Sequence, residues 1–179
     1  MVRVACYKLD DVDPADDTLR YEAQAKGAAV WYRGEGAWYH QGKHYWVCSN
    51  AGDAAEGQVW AYDPRNETVT LVVESTDENL LDGPDNIAVA RDGTLYLCED
   101  GSGGQPGAPN FSQRVVGVDA SGGLFEFCRN IIPGSTAEFA GACFSQNGKY
   151  MYVNSQGSGI TYCIWRTDNR SIALNGATA

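Results

Sequence analysis

Apolar and polar residues alternate along three stretches of this chain that each leave a glycine turn: "GKHYWVCSN" from Gly42, "GTLYLCEDG" from Gly93 and "GKYMYVNSQG" from Gly148. Alternation of this kind is the period of a half-buried strand, so each stretch predicts a β-strand entered from a tight turn. Laid on their turn glycines, the three share a tyrosine near the third or fourth place, apolar alternation, and then a polar cluster. Each is followed by a second apolar stretch: "GQVWAYDP", "RVVGVDAS" and "GITYCIWR". Further turn signals, "DPRN" at 63–66 and "DASGG" at 119–123, fall between them. Turns therefore recur roughly every 22–28 residues, and the repeat unit is about 50 residues, the size of a four-stranded propeller blade. The fold class read from this pattern is all-β: a partial β-propeller of about three blade-like units of four antiparallel strands. It spans residues 29–166, after an acidic lead-in over 1–28 and before a tail, 167–179, expected to be unstructured.

The same superposition aligns polar positions. Glu35 lies seven places before the first turn glycine, Asn86 takes that place in the second unit with Asp85 beside it, and Glu138 comes slightly earlier in the third. The strands that leave the turns end in Ser49-Asn50, Glu99-Asp100 and Asn154-Ser155. Equivalent positions of propeller blades converge on a central channel, so these acids and amides are expected to face one space. Crowded carboxylates raise one another's pKa unless a cation neutralises them. A donor set made only of oxygens suits a hard cation such as calcium or ferric iron, not a histidine-based zinc site. The two histidines, His40 and His44, merely flank a turn. The competing reading is that these are ordinary turn residues, since Asp and Asn are frequent there. Within the set, "RGEG" at 33–36 places Arg33 and Glu35 between glycines in an aromatic stretch. In isolation such a pair reads as a surface ion pair.

Composition narrows the classes. A net charge of −10 with no cluster of Lys or Arg excludes nucleic acid and anionic lipid as partners, because both need a basic footprint. No apolar run approaches the ~20 residues of a membrane helix. The start, "MVRVACYKLDDVDPADD", turns acidic before an apolar signal core forms, so no export signal is read there. Six cysteines are spread without a CxxC or zinc-type spacing and are read as small buried hydrophobes. "GSGGQPGAPN" lacks the GK[ST] of a phosphate loop and is read as a plain loop. "DDVDPADD" lacks the glycine and distal glutamate of an EF-hand and is read as solvated acid.

Several segments, in order, resemble the C-terminal half of PhoX-type alkaline phosphatases: "DVDPADDTLRYEAQAKGAAVWYRGEGAWY", "GDAAEGQVWAYDP", "LDGPDNIAVARDGTLYLCEDG", "RVVGVDASGGLFEFCRN" and "AEFAGACFSQNGKYMYVNSQGSGIT". The resemblance runs from about residue 9 to 165. It implies a β-propeller whose channel holds ferric iron and calcium, hydrolysis of phosphate monoesters, and a periplasmic or extracellular location. By resemblance Arg33 falls on the arginine that contacts the substrate phosphate and Glu35 on a metal-ligand glutamate. Glu138, Asp85 and Glu99 are further expected metal ligands. Family members are longer, and their N-terminal half supplies additional ligands; that half has no counterpart here. The chain therefore reads as a segment of a phosphatase that needs a missing N-terminal half for activity. Two alternatives remain open at this point: a calcium-dependent, gluconolactonase-like lactonase or esterase, which shares the "PDN" acid-amide pair, and a non-catalytic propeller binding module.

Overall fold

The middle repeat shows why its strands read as nearly unbroken apolar runs: it is covered on both faces. The computed structural model describes residues 1–101, 113–133 and 135–172. The first sheet is a meander of β2 (Gly34–His40), β3 (Lys43–Cys48), β4 (Gln58–Asp63) and β5 (Thr68–Glu74), with the short β1 (Val2–Arg3) added outside β5. The second is β6 (Pro84–Val89), β7 (Leu95–Glu99), β8 (Arg114–Val118) and β9 (Leu124–Arg129). The third is β10 (Phe139–Phe144), β11 (Tyr150–Ser155) and β12 (Ile160–Trp165). Neighbouring strands pair antiparallel throughout. These are the expected blade-like units, with five, four and three strands, and among the described residues they do not close into a ring. The lead-in also carries one short helix, α1 (Leu19–Ala25), with no buried residue. No helix among the described residues is long and apolar enough to cross a membrane.

Alternation sorts the core into two layers. On the second sheet Ile87, Val89, Leu95, Leu97, Val116 and Val118 face the first sheet and pack with its Val47, Val59 and Val73. The intervening residues Ala88, Tyr96, Cys98 and Val115 face the third sheet and pack with Phe139, Met151 and Val153. The first and third sheets have one partner each; the other face of the third stays open, while on the first Trp31 packs edge-on against Trp46 at 5.0 Å and Trp60 at 5.1 Å. Tyr150, Tyr152 and Trp165 share the outward face of the third sheet, and Trp165 is 60% exposed. Cys143 and Cys163 lie on that same face, each opposite Tyr152. This corrects the expectation that the cysteines are buried: Cys48 and Cys98 are, whereas Cys6, Cys143 and Cys163 are exposed. All six are free thiols.

The innermost strands β2, β6 and β10 stand side by side. Their closest approach explains one glycine of "RGEG". A Cβ on Gly36 would lie 2.6 Å from the Asp85 carbonyl oxygen, 2.8 Å from the Ile87 nitrogen and 2.9 Å from the Asn86 Cα, all backbone atoms. A Cβ on Gly34 would meet nothing within 4 Å. The hairpin after β2 turns at Gln41 (φ 48°) and Gly42 (φ 85°), the pair of left-handed residues that a two-residue hairpin with matching twist requires.

The start of the tail is folded back. Ile172 is buried and its N–H donates to the Gly148 carbonyl at 3.0 Å, beside a Ser171 hydroxyl that reaches the same oxygen. Residues 173–179, and all of the glycine-rich segment after Gly101 as far as Asn110, lie outside the described residues.

Two outcomes follow from this packing. Gly36→Ala should destabilise the chain by about 1–3 kcal/mol, the usual scale for overpacking, whereas Gly34→Ala should be nearly neutral; urea unfolding of the two variants measures the difference. The open apolar face of the third sheet should make the chain self-associate on its own, and Tyr152→Ser with Trp165→Ser should reduce this in sedimentation velocity.

Candidate active site

Each inner strand begins with an irregularity in its pairing. The register of β2 shifts between Gly34 and Ala37, that of β6 between Pro84 and Asn86, and that of β10 between Ala140 and Cys143. A bulge frees residues from the ladder and re-aims their side chains. Glu35 and Asp85 are the residues within the first two bulges. Gly36 lets the first bulge nest directly on the second, which brings the Asp85 carboxyl within hydrogen-bonding reach of Glu35. The third bulge is bound to the second by a side chain: Asn86 Oδ1 accepts the Ala142 N–H at 2.9 Å. This sets Glu138, just before β10, near Asp85 and Asp100.

Arg33 closes the group. It precedes β2 with φ 46°, a left-handed conformation that a side chain with a Cβ adopts at a cost of about 1–2 kcal/mol, and its carbonyl accepts the Ser49 N–H at 3.0 Å. Its guanidinium lies 3.2 Å from Asp100 Oδ2 through Nη2 and 3.4 Å from Glu35 Oε1 through Nε. One half-exposed arginine thus stands against four carboxylates, and the excess of negative charge favours their protonated forms. Burial, then Glu35 and Asp100, push the Asp85 carboxyl up. Burial, then a hydrogen bond with Asp100 and the charge of Asp85, push Glu138 up to about 7.

Of the residues singled out in the sequence, Arg33, Glu35, Asp85 and Glu138 come together. Glu99 does not. It shares a strand face with Leu95 and Leu97, so the alternation turns it into the core, where it is 2% exposed and paired with Arg114 at 2.6 Å. Its place in the group is taken by the next residue, Asp100, which lies just past the end of β7. The signal was present in the sequence: an acid in register with two core leucines opposite an Arg in register with Val116 and Val118 is the pattern of a buried ion pair. Asn86 is likewise structural, its oxygen committed to the neighbouring blade.

Among the described residues, no three His, Cys, Asp or Glu side chains stand together as a ready ligand set for one ion. The donors nonetheless suit a hard cation in kind. They are all carboxylate oxygens, and they carry more negative charge than Arg33 offsets.

A family model described as alkaline phosphatase PhoX matches residues 9–159. The chain belongs to the PhoX alkaline phosphatase family. No curated protein matches it significantly. Among solved structures, "Pseudomonas fluorescens PhoX in complex with vanadate, a transition state analogue" is similar, with a TM-score of 0.67 and 17% identity. The likeness covers 87% of this chain and 38% of that one, so the chain spans well under half of its structural relative. At this identity it shows the fold. Arg33, Glu35, Asp85, Asp100 and Glu138 all lie inside the segment that matches the PhoX model.

The crowding gives a pH signature. An acid raised from 4.5 to about 7 holds its proton more tightly folded than unfolded. Its stabilising contribution is therefore full below pH 4.5 and is lost as the pH rises through about 7. The melting temperature of the metal-free chain should fall across that window, and Glu138→Gln should flatten the fall, as thermal melts at several pH values would register.

Proposed function

We propose that this chain contributes the Arg33 side of a metal-dependent phosphomonoesterase centre, in which Glu35, Asp85, Asp100 and Glu138 provide oxygen ligands. The single observation that carries the reading is the left-handed Arg33, held between Asp100 and Glu35 against a crowd of acids. An acid cluster alone would repel a phosphate ester. With hard cations such as calcium and ferric iron bound, the same carboxylates become their ligands, and the cations would supply positive charge for the phosphoryl oxygens and a water acidic enough to attack.

Arg33 then has three N–H donors left to turn on a phosphate. Its planar fork matches two oxygens of a phosphoryl group, and Asp100 and Glu35 hold the fork in orientation so that little side-chain entropy is lost on binding. Glu138, protonated near neutral pH without a cation, would release its proton on binding one, so affinity should rise with pH. The substrate class is a phosphate monoester. The rest of the ligand set and the cover for the open blade face would come from a further segment, corresponding to the part of the longer relative that this chain does not span. A periplasmic or extracellular location belongs to the same reading.

The lactonase alternative is less well supported, because it gives no role to Arg33, which here is held against Asp100 and Glu35. A binding module without chemistry is the outcome if no cation binds.

The two neighbours of "RGEG" separate in one experiment on the assembled enzyme. Arg33→Lys should lower turnover of a phosphate monoester by about 100-fold with metal content unchanged, since an ammonium cannot copy the fork. Glu35→Gln should instead lower bound metal, measured by elemental analysis, and activity with it. Full metal and normal turnover in both would reduce them to a surface ion pair.

A further inference from the structure

We propose that the buried Glu99–Arg114 pair is the positioning device of this site: it fixes the backbone that presents Asp100 to Arg33 and Glu138. The inference rests on the reading of that acid group as a cation-assisted phosphate centre.

Glu99 ends β7 and Arg114 begins the adjacent β8. Glu99 Oε2 accepts the Arg114 N–H at 3.0 Å and Nε at 2.7 Å, while Oε1 accepts Nη2 at 2.6 Å and the Asp82 N–H at 2.9 Å. The guanidinium has donors to spare. Nη1 donates to the Asn79 carbonyl at 2.8 Å and Nη2 to the Glu78 carbonyl at 3.0 Å. One forked pair therefore fastens three segments at a point: the end of β7, the start of β8 and the loop that leads into β6.

Asp100 hangs from this knot. It follows Glu99 directly, its N–H donates to the Gly83 carbonyl at 2.9 Å in the fastened loop, and the next carbonyl, Gly101, accepts Gln113 Nε2 at 2.9 Å beside Arg114. Both flanks of the Asp100 backbone are thus tied to segments that the pair holds, and its carboxylate is left to meet Arg33 at 3.2 Å. The same loop delivers Asp85, two residues beyond Gly83, so the pair sets two of the acids at once.

Leu95 and Leu97 share the strand face of Glu99, and apolar residues of similar volume often replace the charges of a buried pair without loss. The stability cost of removing this one falls on the four backbone groups it partners, the Asp82 and Arg114 N–H and the Asn79 and Glu78 carbonyls. What apolar residues cannot supply is direction, because a bidentate fork accepts one register and one angle.

The test uses the full chain with the double substitution Glu99→Leu/Arg114→Met, alongside Asp100→Asn. Three readouts are taken: the melting temperature, the NMR resonance of the Arg33 Nε–H in the metal-free protein, and titration with terbium(III) as a hard-cation probe. The double variant should still melt cooperatively, at a lower temperature because four backbone groups lose their partners, and move the Arg33 resonance to where Asp100→Asn puts it. Its terbium affinity should weaken by about tenfold or more, the scale seen for groups that orient ligands. A folded double variant with the wild-type Arg33 resonance and wild-type terbium affinity overturns the inference. If the wild type binds no terbium but the resonance moves as expected, the positioning stands and the cation reading fails. Should the double variant not fold, Arg114→Lys keeps the charge without the fork: a shifted Arg33 resonance supports the role, and an unshifted one refutes it.

Discussion

The contact on which the rest of the structure depends is the backbone approach of the first inner strand to the second at Gly36. Two strands can lie that close only where one has no Cβ, and here the atoms that a Cβ would strike belong to the backbone from Asp85 to Ile87. That approach sets the spacing of the first two sheets. It also superposes their bulges, so that Glu35 and Asp85 leave the ladder at the same level. The third strand is held by a longer link, the Asn86 side chain on the Ala142 N–H, which compensates for an amide that the bulge removes from its own ladder. A close glycine contact on one side and an amide bridge on the other build a row of three strand starts, and the acids follow from the row.

Crowding of this kind opposes folding; a second instance surrounds Glu56, pushed up by burial and by Asp82, Glu78 and Asp77. Asp85 and Glu138 are both held above the usual carboxylate range, first by burial and then by their acidic neighbours, with Arg33 as the local counter-charge. The contrast with Glu99 is instructive. Buried far more deeply, it too is pushed up by burial, but four hydrogen bonds, two of them from the Arg114 guanidinium, oppose that shift. Two kinds of acid thus stand one residue apart on the same chain. Glu99 is satisfied and structural, whereas Asp100 faces outward into a group whose charge is only partly answered. An imbalance of that sort is what distinguishes a place prepared for a ligand from a place prepared for packing.

PhoX family membership and the open arc belong together. The matched solved structure extends well beyond the part shared with this chain, and the face left bare here is the outward face of the third sheet. Tyr150, Tyr152 and Trp165 make the third sheet's outer face as aromatic as its inner one. A blade is covered on both sides when it stands between others, as the second sheet does, so its strands lose the polar half of their alternation.

The sequence by itself determined the strands, the turns, the repeat and the family, because these are local: period-2 alternation, Gln41-Gly42 and Asp-Gly turns, and the order of segments are written along the chain. It also brought forward Arg33, Glu35, Asp85 and Glu138. The tertiary structure decided what distance along the chain conceals. It separated Glu99 from Asp100 by the side of the strand each faces, gave Asn86 to the neighbouring blade, left Cys143 and Cys163 on an uncovered face, and folded Ile172 back into the core. The physical reason is common to all four. A residue's type says what it can bond to, but only the packing of one sheet on another says which partner lies within reach.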